Sequence, residues 1–193
     1  MRKIIAASLM IFSLAAMVRA DNVYTFDTDH TSIGFAIKHM VISTVRGRYN
    51  SFSGSIVLDE KAPVNSSVKV VIKAASIDTG ILKRDEHLRS ADFFDVMKYP
   101  DITFVSKKIE KRGSSYEMTG TLTMKGVSKD VSFPFSLSGP MKDPWGNSRV
   151  GAEATLVINR LDYGVAWNKA IEGGGLMVGN DVKIELSVEG VKK

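Results

Sequence analysis

The residues able to do chemistry in this chain are few, and their spacing forms no reactive pattern. The three histidines, His30, His39 and His87, are enough in number for a three-ligand zinc site, but their spacing matches no metal motif. Each also has an ordinary structural place: a turn, a strand end and the surface of a short helix. Serines are plentiful, yet no Gly-x-Ser-x-Gly elbow exposes one as a nucleophile. The run from Glu172 to Gly179, EGGGLMVG, lacks the Gly-Lys-Ser/Thr ending of a phosphate loop and reads as a flexible approach to a last strand. The absence of cysteine excludes disulfides, thiolate metal sites and cysteine nucleophiles. No catalytic residue, metal or cofactor is expected.

One stretch does concentrate charge. SIDTGILKRDEHLRSADFFDVMKYPDITF, residues 76–104, sets Lys83, Arg84, Asp85, Glu86, His87 and Arg89 beside an aromatic wedge, Phe93-Phe94. Asp78 or Thr79 can cap a helix there, with Lys83, Arg84 and Glu86 outward and Ile81 and Leu88 inward. The expected element is a short helical lid. Its cations, Lys83, Arg84, His87 and Arg89, together with His39, are candidates to meet a polar or anionic head group. Asp85, Glu86, Asp92 and Asp95 are close enough in sequence to make the same charges a structural ion-pair cluster instead.

The elements that hold this lid read in period two, as half-buried strands do. Tyr24 and Phe26 alternate with polar neighbours, then Ile33, Phe35 and Ile37. A bend is expected over His39–Arg46, followed by Phe52, Ile56 and Leu58 on one face, a turn at EKAPVNSS, and Val68, Val70 and Ile72. Beyond the lid, Ile102 and Phe104 open a strand ending near Lys111. Tyr116, Met118, Leu122 and Met124 follow, then Val131, Phe133, Phe135 and Leu137, with Pro134 marking a locally unpaired position. Asp143-Pro144-Trp145-Gly146 is a turn signal. Ala152, Ala154, Leu156 and Ile158, and finally Val182, Ile184, Leu186 and Val188, complete the series.

About eight strands with one apolar face each, joined as hairpins, must bury that face. Closing into a barrel does so and removes exposed edges. An eight-stranded barrel is either filled by its own side chains or holds one small ligand. A two-sheet sandwich is the rival, but it leaves the charged insertion without a role. The expected fold is all-β: an eight-stranded antiparallel barrel with a short helical lid. Met118 and Met124 suit ordinary core, and equally a lining that repacks around a flexible hydrocarbon.

Residues 1–20 are expected to be a cleaved signal peptide. Arg2 and Lys3 precede an uncharged apolar run from Ile4 to Val18, too short to span a membrane, and Val18-Arg19-Ala20 offers a cleavage site. Residues 21–193 then form a single domain. The net charge of +5 falls by three, since Arg2, Lys3 and Arg19 are lost and no acid is. No basic stripe with interleaved aromatics remains, so nucleic acid is not an expected partner. A soluble periplasmic protein is the expectation.

Five stretches carry a resemblance: DTDHTSIGFAIKHM (27–40), GRYNSFSGSI (47–56), the lid stretch 76–104, GTLTMKGVSKDV (120–131) and NRLDYGVAW (159–167). The chain resembles the YceI family, the polyisoprenoid-binding or base-induced periplasmic proteins. That resemblance implies an extended lipocalin-like barrel whose tunnel holds a long-chain isoprenoid lipid, with a stress response as one physiological setting. It also implies an isoprenoid quinone as an alternative cargo, a cytochrome b561-type membrane partner and a homodimer. It brings no catalytic set, so the candidate lining comes from the inward faces: Phe35, Ile37, Phe52, Ile56, Leu58, Val70, Ile72, Phe93, Phe94, Phe104, Met118, Leu122, Met124, Phe133, Phe135, Leu156, Trp167, Ile184 and Leu186.

Three functions follow. A lipid-binding module requires a continuous apolar cavity. A redox or hydrolytic enzyme acting on a bound quinone or lipid requires at least two of the histidines to converge on that cavity. A structural or chaperone-like protein requires a solidly filled barrel.

Overall fold

A computed structural model describes residues 23–171 and 175–192. The expected leader, 1–20, lies outside them, as do residues 172–174 of the glycine-rich run. Among the described residues, no helix is long and apolar enough to cross a membrane.

Among the described residues the strand segments are β1 (Val23–Phe26), β2 (Ser32–His39), β3 (Ser43–Tyr49), β4 (Phe52–Val57), β5 (Ser67–Lys73), β6 (Ile77–Asp78), β7 (Asp101–Arg112), β8 (Ser115–Met124), β9 (Val127–Lys142), β10 (Ser148–Asn159) and β11 (Val178–Lys192), with one α-helix, α1 (Leu82–Arg89). All pairings are antiparallel, and β1 pairs with both β4 and β11, closing the ring.

Eleven segments make an eight-stranded barrel because three strands are kinked. β1 and β2 run successively along β11, from Thr25 opposite Val191 to His39 opposite Val178. β4 and β3 pair with β1 and β2 in the same way, and β5 and β6 pair with β4 and β3. The expected bend at His39–Arg46 is therefore only a tip: Ser43–Tyr49 is a strand, whose inward positions Val45, Gly47 and Tyr49 keep period two.

The long hairpins show why this sequence favours a barrel. Along β8, Met118, Leu122 and Met124 are buried, while Thr119, Thr121 and Thr123 face outward. There they bond across to Ser132, Asp130 and Ser128 of β9. Each buried side chain of this size contributes about 1.5–3 kcal/mol relative to exposure, so a one-residue slip would forfeit a whole face. The β9–β10 ladder ends at Phe135 opposite Ala154, beside Pro134, which has no N–H to extend it. Past that point the chain turns through Arg160–Tyr163, and Tyr163 and Val165 are buried against the main apolar cluster.

The two ends differ. At one end Tyr24, Phe26, Ile56, Leu58 and Val150 form a closed secondary cluster. Above it, Arg149 binds the carboxylates of Asp27, Asp143 and Glu189. At the other end β6 has no partner in β7, and residues 79–100, containing α1, occupy that seam.

Candidate functional site

The barrel encloses a cavity of about 640 Å³ running from Leu58 and Val188 at the closed end to His39 and Met177 at the other. That volume lies within the range of about 300–1,000 Å³ usual for ligand sites. Its walls are the inward faces of the alternating strands.

Eighteen of the nineteen candidate lining residues border this cavity, among them Phe35, Ile72, Phe104, Met118, Leu156 and Trp167. Phe52 does not; it packs against the secondary cluster at the closed end. Phe93 and Phe94, the aromatic wedge of the insertion, both reach the cavity, and Phe94 meets Tyr49 edge to face at 6.3 Å. Three glycines make room for rings on neighbouring strands: Phe26 lies over Gly54, Phe35 over Gly47 and Phe104 over Gly120.

The lid is built differently from the expectation. Neither Asp78 nor Thr79 caps α1; its N-cap is Ile81, whose side chain has no acceptor. Asp85 instead reaches back from the fourth helical position and is buried, accepting from the Thr79 backbone N–H at 2.9 Å and the Thr79 hydroxyl at 2.5 Å. Asp78 takes the Gly80 N–H and the Asn50 amide, fixing the turn before the helix. Ile81 borders the cavity but is half exposed rather than fully inward.

Of the head-group candidates, His39, Lys83, Arg84 and His87 border the cavity and Arg89 does not. Arg89 donates to the carbonyls of Ala75 and Ile77 at 2.7 and 2.8 Å, riveting α1 to β6 and the turn before it. Arg84 Nε and Nη2 hold the Thr79 hydroxyl and carbonyl. His87 is bonded through Nε2 to Asp92 at 2.8 Å, and its ring meets Phe93 and Trp167 edge to face, each at 5.0 Å. No side-chain partner of Lys83 exists among the described residues.

Sequence reasoning missed Lys38, Tyr49, Thr79 and Arg160, all on the lining. Arg160 is buried without a carboxylate; it donates to the carbonyls of Val165, of Trp167 at 2.9 Å, of Val178 at 3.3 Å and of Gly179 at 2.8 Å. Burial lowers its pKa from the ordinary arginine value. Burial likewise raises the pKa of the Tyr49 phenol. Tyr49 was legible as the third inward position of β3; Arg160 was not, because its partners are backbone carbonyls, those of Val165 and Trp167 in the following loop and those of Val178 and Gly179 on β11.

The histidines do not form one site. His30 sits near the closed end on Asp27, in a group with Glu189 whose ligand atoms lie within 4.8 Å of one another. Arg149 already binds both of those carboxylates, so the group is a structural ion cluster. His39 and His87 both border the cavity. Among the described residues, no hydroxyl is bonded to either ring.

Residues 24–190 match the YceI-like domain. The chain is 37% identical to Protein YceI of Escherichia coli O17:K52:H18 over 97% of this chain and 94% of that one. It is 36% identical to a UPF0312 protein of Pectobacterium atrosepticum over 98% and 95%. Among solved structures, the Campylobacter jejuni YCEI protein superposes with a TM-score of 0.69 at 36% identity, covering 81% of this chain and 90% of that one. A polyisoprenoid binding domain from Saccharophagus degradans shares the fold with a TM-score of 0.61 at 15% identity, over 88% and 98%.

Proposed function

The chain belongs to the YceI family, and we propose that it is a binding protein holding a long-chain isoprenoid lipid, or an isoprenoid quinone, along its barrel cavity. In this reading it catalyses no reaction and acts in the periplasm, for transport, storage or sequestration. The observation that carries the proposal is the cavity: continuous, walled by apolar side chains along the barrel, with its charged groups gathered at one end. A filled barrel, as a purely structural role requires, does not have one. The Saccharophagus domain is described as polyisoprenoid-binding; at its level of identity it supports the barrel, and the ligand class rests on the cavity.

The energetics fit a long apolar chain. Burial gives about 0.8 kcal/mol per CH₂-sized group, so a five-carbon isoprene unit contributes up to about 4 kcal/mol. A handful of units nominally reaches the practical affinity ceiling of about 18–21 kcal/mol, before ordering costs. The head group is then not needed for tightness and is free to set orientation or release.

The open end also suits exchange with a lipid surface. Beyond His39, Val41 and Ile42 are 73% and 83% exposed at the β2–β3 tip. Met40 and Val41 have φ of 50° and 64°, the left-handed region that a β-branched residue adopts only at a cost. Gly or Asn would be easier there, and polar residues would suit water better. Two exposed aliphatic side chains at a strained tip are consistent with contact with lipid. The b561-type membrane partner belongs to this reading in its quinone form; the stress role and the homodimer stay expectations of the resemblance.

The enzymatic alternative has one observation in its favour, the placement of His39 and His87 on the cavity with His87 oriented by Asp92. It predicts turnover of a bound quinone or lipid ester that is abolished by His87→Gln. The binding reading is tested by titrating lipid-free protein with geranylgeraniol and following emission of Trp167, which lines the cavity. Saturable one-to-one binding with a shifted emission is expected. No change up to the solubility limit would overturn the reading.

A further inference from the structure

We infer that the long hydrocarbon chain enters and leaves sideways, through a notch in the barrel wall between β9 and β10 that residues 160–167 close as a strap. This rests on the cavity being the lipid site.

The notch lies where pairing stops. β9 keeps its partner β8 from Pro134 opposite Glu117 to Val127 opposite Met124. β10 keeps β11 from Thr155 opposite Glu185 to Asn159 opposite Asp181. Between β9 and β10, however, no pair follows Phe135 and Ala154. Neither strand has frayed; the two have parted. The gap runs to the open end, since Asp181 is three residues from Val178, which stands opposite His39. Its inner margin is apolar: Val131 and Phe133 on one side and Leu156 and Ile158 on the other all border the cavity.

The strap is fastened on one side only. Arg160 donates to the carbonyls of Val178 and Gly179. Asn168, just past it, takes the Val178 N–H at 3.1 Å and donates to the Val178 carbonyl at 2.7 Å. These anchors all lie on β11. Toward β9, residues 160–167 make no backbone hydrogen bond among the described residues. The polar contact there is one ion pair, Lys129 with Asp162 at 3.7 Å, both half exposed. The rest is side-chain packing, with Tyr163 and Val165 buried in the cluster that holds Phe133, Leu156 and Ile158.

Other routes through the wall cost more bonds. Between laddered strands a crossing chain would have to break a row of backbone hydrogen bonds. The lid in the second seam is tied on both sides: Arg89 holds Ala75 and Ile77, and Lys125 of the β8–β9 turn donates to the Ala91 carbonyl at 3.2 Å. Parting the strap from β9 breaks no ladder. A chain threaded endwise through the mouth passes the wall residues in turn, whereas one laid in through the notch meets them together.

The test uses the absence of cysteine. Lys129→Cys with Asp162→Cys places two thiols across the notch, to be bridged by a short reducible bis-thiosulfonate. Loading of geranylgeraniol is followed by Trp167 emission, and release by transfer to phospholipid vesicles. Bridging is expected to slow loading and release by the same factor, at least about tenfold, as closing a gate does. Kd should stay where it was, and reduction should restore both rates. Thr119→Cys with Ser132→Cys, bridged in the same way over the intact β8–β9 ladder, should leave both rates unchanged. In Asp162→Lys, which sets two ammonium groups against each other, both rates should rise severalfold. Rates that stay unchanged in the bridged protein, or in Asp162→Lys, overturn the notch as the route and leave the carrier reading intact. Loss of equilibrium binding on bridging would make the strap part of the binding wall and not a gate, and also overturns the inference. Failure of the unbridged protein to bind the prenol overturns the carrier reading itself.

Discussion

The ring of Phe104 occupies the place where a side chain on Gly120 would begin: a β-carbon there would lie 2.4 Å from Cζ of the ring. Phe104 also borders the cavity and stands 5.7 Å from Phe133. Gly120 thus fixes how far one aromatic wall residue leans out of the lumen. Gly120→Ala is expected to destabilise the protein by about 1–3 kcal/mol, the usual cost of overpacking. It should also push Phe104 inward and weaken capture of a long prenol. Urea unfolding with the same titration checks both, and an unchanged midpoint would contradict the packing account.

Arg160→Met removes four bonds to carbonyls from two separate segments, the loop at Val165–Trp167 and the start of β11, leaving acceptors unpaired. A loss of about 3 kcal/mol is expected. Lysine is not expected to rescue it, since a single ammonium cannot reproduce the planar fork. A loss below about 1 kcal/mol in urea unfolding would show that Arg160 does not hold the open end together.

How much of this was readable in the sequence depends on whether the cause was local. Period two placed Phe35, Phe104, Leu122 and Leu156 on one face, and a closed barrel turns that face into a lumen. Phe52 obeys the same period but, at the start of β4, packs against the closed-end cluster instead of bordering the cavity. Arg89 and Arg84 are close in sequence and chemistry, yet one fastens a turn and the other borders the cavity. Helical phase relative to the barrel decides that, and no short window contains it. The strand at Ser43–Tyr49 was hidden by its exposed arginines and glycine, although Val45 and Tyr49 kept the alternation.

The closed-end ion cluster gives stability a two-sided pH dependence. Hydrogen bonds from Arg149 hold Asp27 and Asp143 at about 2, against about 3.9 for an unfolded aspartate. Their contribution is full above about pH 4 and is lost as pH falls toward 2. His30 acts in the opposite sense: its hydrogen bond to Asp27 raises its pKa. Its contribution is full below about 6.5, the unfolded value, and fades as pH rises through the folded one. The stability difference between the wild type and Asp27→Asn should therefore be largest between about pH 4 and 6.5 and shrink on both sides. A difference that is flat from pH 2 to 9 in urea unfolding would contradict this.

Val41→Ser with Ile42→Ser changes two exposed side chains and should shift stability by no more than about 0.5 kcal/mol. Equilibrium affinity for a dispersed prenol should hold, while the rate of loading from phospholipid vesicles falls severalfold. An unchanged loading rate would remove the tip from the exchange route.

Ala154→Phe places a ring in the lumen from the β10 wall. Because it fills open space, it should leave the unfolding midpoint near or above that of the wild type while weakening long-chain binding at least about tenfold. Full retention of binding would mean that the chain does not lie along this wall.

The most direct test of the central claim is organic extraction of the protein purified from cells without detergent, followed by mass spectrometry of the extract. One isoprenoid-chain lipid per protein is the predicted result. An extract without lipid, from a protein that also fails to take up added prenol or prenyl phosphate, would contradict the carrier account.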